Sequence, residues 1–387
     1  MSVLQTGLTA TPVIQGFRSL KSSRILLPLL TYKILFFLTV LIICELFPRL
    51  AEGGYGEHRH WPLEGEPAFA SRFATWDAAH YLYLAAEGYK SGDVACAFYP
   101  LWPGIIRAAS FLAGGNVFIT GLVLANLFSL CGFLLFHRFV KARHGEQTAD
   151  LATVLLLAFP GAIFFSFPYA ESLFFLLIVL FFTFLFRDKY WGVALTGFLL
   201  ALTKPIGIFC LVPLFWHLLA EKRPGRNVLA VYGPILGYGC YFLVMCHFTG
   251  NAIEGADAQS IYPNDLCVAN LIHLRSLFRA FVRVGSFHGA GDSMLDRLFF
   301  VALLGLLIWI YRLNKLYFGY VFAAGVIPIV SAGFLSGTRN IMLCFPFFIV
   351  LADHLKDANR RPLVVVLALA GLQAFCLARY LNFMWAG

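Results

Sequence analysis

Runs of about twenty apolar residues recur along this chain, and they decide what it can fold into, because that length is what an α-helix needs to cross a bilayer. Clear runs cover 25–47, 117–137, 228–249, 296–311, 317–335 and 362–383. A longer one, 149–186, is broken by Pro160, Pro168, Tyr169 and Glu171; another, 190–220, is broken at Lys204-Pro205; a shorter one covers 340–352. So many runs exceed what one water-soluble core can bury. Composition agrees: 60% of the 387 residues are hydrophobic and 13% charged, against about 25% charged in soluble domains.

The basic residues sit between these runs. Clusters occur at Arg138/Lys141/Arg143, Arg187/Lys189, Lys222/Arg223/Arg226, Arg312/Lys315 and Lys356/Arg360/Arg361, with Arg18, Lys21 and Arg24 before the first run. Cytoplasmic loops are rich in Lys and Arg, so these six points mark one side of the membrane. Between successive points the chain must leave and return, which makes the two broken runs helical hairpins turning at their polar breaks. The expected architecture is all-α and polytopic: about eleven transmembrane or partly spanning segments, with the N-terminus in and the C-terminus out. The chain reads as one domain, 1–387, with outer loops at 48–100 and 250–295. The first run is too long for a signal-peptide core and lacks a small-residue cleavage site, so it is expected to be retained. In this setting the net charge of +9 is a topology signal, and nucleic acid is not an expected partner.

The nine cysteines form no CxxC or Cys/His cluster with metal spacing, and neither a metal nor a cofactor is expected. Cys96 and Cys267 fall in outer loops on one side; they read as two thiols, with a disulfide as the alternative. The stretch 266–290, with Arg275, Arg279 and Arg283 beside Leu and Phe, reads as a basic amphipathic helix in the membrane interface.

This topology gathers the unusual polar residues on the outer face: Asp77 and His80, Tyr169 and Glu171, Lys204, and Arg339. Charges at membrane depth are rare without a partner or a wet cavity, so a polar vestibule is expected there. Residues 77–89 have helical character and read as an amphipathic helix on the membrane surface. Asp77, near its start, suits an N-cap as well as a catalytic carboxylate; His80 suits a structural role, a pair with Asp77 or an anion ligand. Glu171 opens a helix, where a carboxylate is favoured by the dipole, and a functional role stands beside that one. Lys204 and Arg339 run against the positive-inside bias. Helix-end snorkelling is the plain explanation; a phosphate-bearing ligand is the other.

At this point the residues resemble a known family. Trp76-Asp77-Ala78-Ala79-His80-Tyr81, continuing to Gly88-Tyr89, is similar to the WD-x-x-H motif of PIG-V-type mannosyltransferases. Phe98-Tyr99-Pro100-Leu101-Trp102-Pro103 is similar to their FFPLYP turn, and the stretch from Pro160 through Tyr169-Ala170-Glu171-Ser172-Leu173-Phe174 to their Y-[ST]-E-S-L-F segment. Thr203-Lys204-Pro205-Ile206-Gly207 resembles their TR-x-x-G, and Arg339 with Phe345-Pro346 their R-Y-x-x-x-x-F-P. Lys204 stands where Arg is usual and Asn340 where Tyr is usual.

The resemblance implies a GT-C glycosyltransferase fold in a prokaryotic inner membrane, with its active site on the extracytoplasmic face. It implies a polyprenyl-phosphate sugar donor, commonly of mannose, a lipid or glycan acceptor, and an acidic catalytic base in the first outer loop, here Asp77. On this reading Lys204 and Arg339 hold the donor phosphate, with His80 a further candidate; Tyr169 and Glu171 complete the substrate site. The competing expectation is a transporter or flippase of lipid-linked substrates.

Overall fold

The computed structural model describes residues 24–47, 59–62, 64, 68–220, 225–261 and 273–387. Among them there is no strand, only two isolated bridge pairs, His60 with Thr75 and Ser286 with Ser293. The helices are α1 (Leu26–Leu46), α2 (Asp77–Glu87), α3 (Leu101–Ser110), α4 (Val117–His144), α5 (Glu146–Ala158), α6 (Glu171–Leu185), α7 (Tyr190–Thr203) and α8 (Leu211–Ala220). They continue with α9 (Tyr232–Thr249), α10 (Glu254–Gln259), α11 (Leu274–Val282), α12 (Met294–Leu313), α13 (Lys315–Ser331, with a π turn at Phe322–Val326), α14 (Gly337–Leu343), α15 (Phe345–Leu355) and α16 (Arg361–Leu381).

Each apolar run of the sequence is helical. Local chemistry sets the ends. The Asn116 side chain accepts from the Ile119 N–H at 3.0 Å to cap α4, and Asn314 accepts from the Leu316 N–H at 2.8 Å to start α13. Pro160 and Pro205, which cannot donate an N–H, each open a short 3-10 turn within a broken run. Gly145, at φ +88°, makes the sharp reversal from α4 into α5, a conformation that glycine adopts without a side-chain clash.

Among the described residues five helices (α1, α4, α9 with the turn before it, α12 and α16) are long and apolar enough to cross a membrane, and the α14–α15 pair, bent by 78°, makes a sixth if it counts as one span. On α1 and α16, Leu27, Ile34, Leu46, Leu363, Val364 and Leu367 are each more than half exposed. A soluble monomer rarely shows contiguous apolar surface of that kind; lipid removes the difficulty. The protein is therefore helical and membrane-embedded. α3, α6, α7, α13 and the Pro205–Ala220 segment are apolar but only 10–17 residues long.

The core sits around α6, where Phe174, Phe175, Ile178, Phe181, Phe182 and Leu185 have no exposed surface. α6 packs against α4 and α7. At its C-terminal end Phe182 meets the rings of Tyr317, Tyr320 and Phe345, and the Arg143 guanidinium lies 3.7 Å from the centre of Phe186. The basic clusters flanking Arg143 and Arg187 thus lie at the end of α6 away from Glu171. The expected hairpin at 149–186 takes a different form: α5 and α6 both pack against α4, and the chain between them runs through the 3-10 turn Pro160–Phe165.

Candidate active site

Four side chains from four distant segments meet at the N-terminal end of α6. The Arg339 Nη1 donates to Asp77 Oδ2 at 2.6 Å, and its Nε to Glu171 Oε1 at 2.5 Å. The Lys204 Nζ donates to the same Oε1 at 2.5 Å. Two cations and two carboxylates leave the group neutral, which a site this enclosed requires, since a buried charge without a partner is strongly unfavourable. Side-chain exposure grades outward, from 0% at Glu171 through 10% at Arg339 and 13% at Lys204 to 30% at Asp77. The expected vestibule is thus closed around Glu171, and Asp77 is the member that reaches the surface.

Local structure explains how each residue gets there. Glu171 is the first residue of the most deeply buried helix, so its side chain has nowhere to go but the interior. Both cations bind its Oε1, while Oε2 is buried with no hydrogen-bond partner among the described residues. Lys204 ends α7 in extended backbone, at φ −154° and ψ 152°, as the residue before a proline prefers. The Arg339 guanidinium carbon lies 4.8 Å from the centre of the Tyr169 ring and 5.1 Å from that of Phe164, a cation–π seat that fixes its plane. Tyr169, a predicted site residue, therefore supports Arg339 and is itself fully buried.

Asp77 does not cap α2. Trp76 occupies the cap, and Asp77 is the first helical residue. Trp76 holds φ +55°, a region that bulky residues seldom enter and that marks functional sites when the surroundings enforce it. Here they do. The Thr75 carbonyl accepts from the hydroxyls of Tyr169 and Tyr380, each at 3.4 Å, and the Trp76 ring packs edge-on against Trp385 at 5.3 Å. α2 is no surface helix either: Ala78 through Ala85 are all buried, because α3 and α4 pack against it. His80, one turn on from Asp77, lies flat on Phe98 with ring centres 4.6 Å apart. Burial pushes its pKa down to about 4, opposed by the nearby Asp77 charge, so it is a neutral ring at physiological pH.

Cys96 is a free, buried thiol that donates to the Lys90 carbonyl at 3.2 Å; Cys267 lies outside the described residues, as does the first part of the 266–290 stretch, whose remainder includes α11. Among the described residues no group of three or more His, Cys, Asp or Glu is arranged to hold a metal ion.

Three polar residues inside or at the margin of apolar runs matter here and belong to no motif. Lys33, within α1, donates to the Phe165 carbonyl at 3.0 Å and to Ser166 Oγ at 2.9 Å. Asp296 accepts from both the N–H and the hydroxyl of Thr338, each at 2.7 Å. Arg297 donates to the carbonyls of Ala280, Phe281, Gly291 and Ser293 at 2.6–2.9 Å. The signal that finds them is a charge within or at the margin of a span. No protein-family model matches the chain, and no curated protein matches it either.

Proposed function

We propose that the protein is a membrane glycosyltransferase that moves a sugar, mannose first among candidates, from a polyprenyl-phosphate donor to a hydroxyl of a lipid or glycan acceptor. One observation carries the reading: the carboxylate that reaches the surface and the arginine that serves it come from helices 262 residues apart in sequence, 339 − 77, and meet at 2.6 Å. Transfer from a sugar phosphate to a hydroxyl needs a base and a cation to stabilise the departing phosphate, and that pair supplies both.

In this mechanism Arg339 engages Oδ2 of Asp77, which leaves Oδ1 to take the acceptor proton. The acceptor oxygen bonds to the anomeric carbon as the bond from that carbon to the phosphate oxygen breaks, and the bonding pair leaves with the polyprenyl phosphate. Attack opposite the leaving group inverts the anomeric centre. The two bonds to Asp77 and Glu171 use two of the five N–H donors that a guanidinium carries; the rest suit a phosphate, with Lys204 as a point charge behind. Glu171, fully buried, is the counter-ion of both cations and not an acceptor ligand. The reading includes a GT-C arrangement of about eleven segments and an extracytoplasmic site.

The test is incubation of the purified protein in detergent with a panel of polyprenyl-phosphate sugars, wild type beside Asp77→Asn. Donor consumption by the wild type and none by the variant is expected; equal consumption by both rejects the assignment.

A second reading, a flippase for lipid-linked sugars, draws on the broken helices at Pro160, Pro205 and the bent α14–α15 pair, and on Lys33 seated at one of these breaks, features that transporters place at their substrate sites. Movement of an intact lipid-linked sugar between the leaflets of proteoliposomes, with no donor consumed, would favour it.

A further inference from the structure

We infer that Asp296 is a positioning residue for Arg339, holding the first turn of α14 so that the guanidinium reaches Asp77 and Glu171; this rests on the glycosyltransferase reading of that cluster. The observation is a contact across 42 residues. Both the N–H and the hydroxyl of Thr338, the residue before Arg339, donate to the one oxygen Asp296 Oδ1 at 2.7 Å. Both residues are 1% exposed, so water does not substitute for either bond. The first N–H groups of a helix lack partners within it, and a carboxylate there is also favoured by the helix dipole.

The surroundings leave this turn one place to sit. Ser336, at φ +54°, bends the chain into α14. A Cβ added to Gly337 would lie 3.2 Å from the Asp296 Cβ, so glycine lets the two segments close. On the other side, a Cβ on Gly161 would come within 3.0 Å of the Thr338 carbonyl oxygen. The turn is thus gripped between Asp296 and the Pro160–Phe165 segment.

Asp296 is itself held. Its N–H donates to Ser293 Oγ at 3.1 Å, and His288 Nδ1 lies 3.7 Å from Oδ2. Its neighbour Arg297 is turned to main-chain carbonyls and makes no ion pair with it among those of the described residues. The carboxylate therefore has one strong engagement, and it is with Thr338.

The experiment is a double-mutant cycle between Asp296→Ala and Arg339→Ala, with Asp296→Asn and Thr338→Val as milder variants. Each is assayed in detergent for transfer from polyprenyl-phosphate mannose, as kcat and KM, and for thermal unfolding. Asn keeps an oxygen at Oδ1, so Asp296→Asn is expected to stay within about threefold of wild type. Asp296→Ala is expected to lower kcat/KM by about 10²-fold, the scale of a misplaced positioning group. In the Arg339→Ala background the same change is expected to cost less than about twofold, because coupled residues are not additive, while the fall in Tm is the same in both backgrounds. An equal loss of kcat/KM in both backgrounds overturns the inference and leaves Asp296 a purely structural residue. Should Asp296→Ala not fold, Thr338→Val, which removes one of the two bonds, must show the same dependence on Arg339 or the inference fails. If Arg339→Ala alone retains wild-type transfer, the active-site reading falls first, and this inference falls with it.

Discussion

Two buried arginines, Arg339 and Arg297, show what separates a site from a staple. Arg297 bonds to four main-chain carbonyls, all within the 280–293 stretch next to it. The Arg297 side chain is buried beneath that stretch, and no second ionisable side chain is needed. Arg339 bonds instead to two carboxylates brought from α2 and α6, with aromatic rings below and Asp77 exposed at the edge. The first arrangement closes a loop against α12. The second gathers opposite charges from distant parts of the chain at a point whose outermost member, Asp77, is 30% exposed, which packing alone does not require.

The comparison breaks most sharply at Asp77. Asp77→Asn is expected to lower transfer by about 10²–10⁴-fold, the range for loss of a general base, with a fall in Tm smaller than that at Glu171 because Asp77 is partly exposed; a variant that retains turnover would put the two arginines in one class. Next comes Glu171→Gln, which leaves two buried cations short of a charge. Breaking a buried pair costs about 3–5 kcal/mol, so thermal unfolding in detergent should show a large drop in Tm along with lost activity. Arg297→Lys should sharpen the contrast from the other side: a lysine cannot reach four carbonyls, so Tm falls by the equivalent of about 1.5–3 kcal/mol for lost charged hydrogen bonds, while KM for the donor stays as it was.

Two smaller effects read out in pH. His80 is neutral when folded, with its pKa pushed from 6.5 to about 4 by burial. Between those values the unfolded chain binds more protons, so stability should decline as pH falls from about 6.5 to about 4, and His80→Gln should flatten that slope. At the surface, Asp93 is desolvated yet held down to about 2, below its ordinary 3.8, by the Arg59 guanidinium and the Ala95 N–H. Its contribution is present above pH 3.8 and lost as pH falls toward 2; with the pair 19% exposed, it should be the smallest of these and the most sensitive to salt.

Local pattern revealed the helices and hid the partners. The run 25–47 became α1 at Leu26–Leu46, and 362–383 became α16 at Arg361–Leu381, because a hydrophobic stretch of span length has few other solutions in lipid. Asp77, Glu171, Lys204 and Arg339 were each visible as charges out of place beside apolar runs. What spacing does not contain is which charge meets which: that Glu171 serves both cations through one oxygen depends on the first turn of α6, Glu171 to Phe175, being wholly buried. The burial of α2 likewise comes from α3 and α4 folding over it, a tertiary effect absent from its own periodicity. Asp296 opens the apolar run 296–311, and its role is set by a threonine 42 residues away.

The shortness of α6 carries a further consequence. Its fifteen residues rise about 22 Å, against about 30 Å of hydrocarbon. On the proposed topology, with Arg187 and Lys189 at one headgroup layer, a helix of this length leaves Glu171 and its companions several ångströms short of the opposite one. On that reading an acceptor and donor meeting at Asp77 would dip below the plane where lipid phosphates normally rest, a descent that a donor on a long, pliant isoprenoid makes more readily than one on a stiff, tightly packed diacyl lipid.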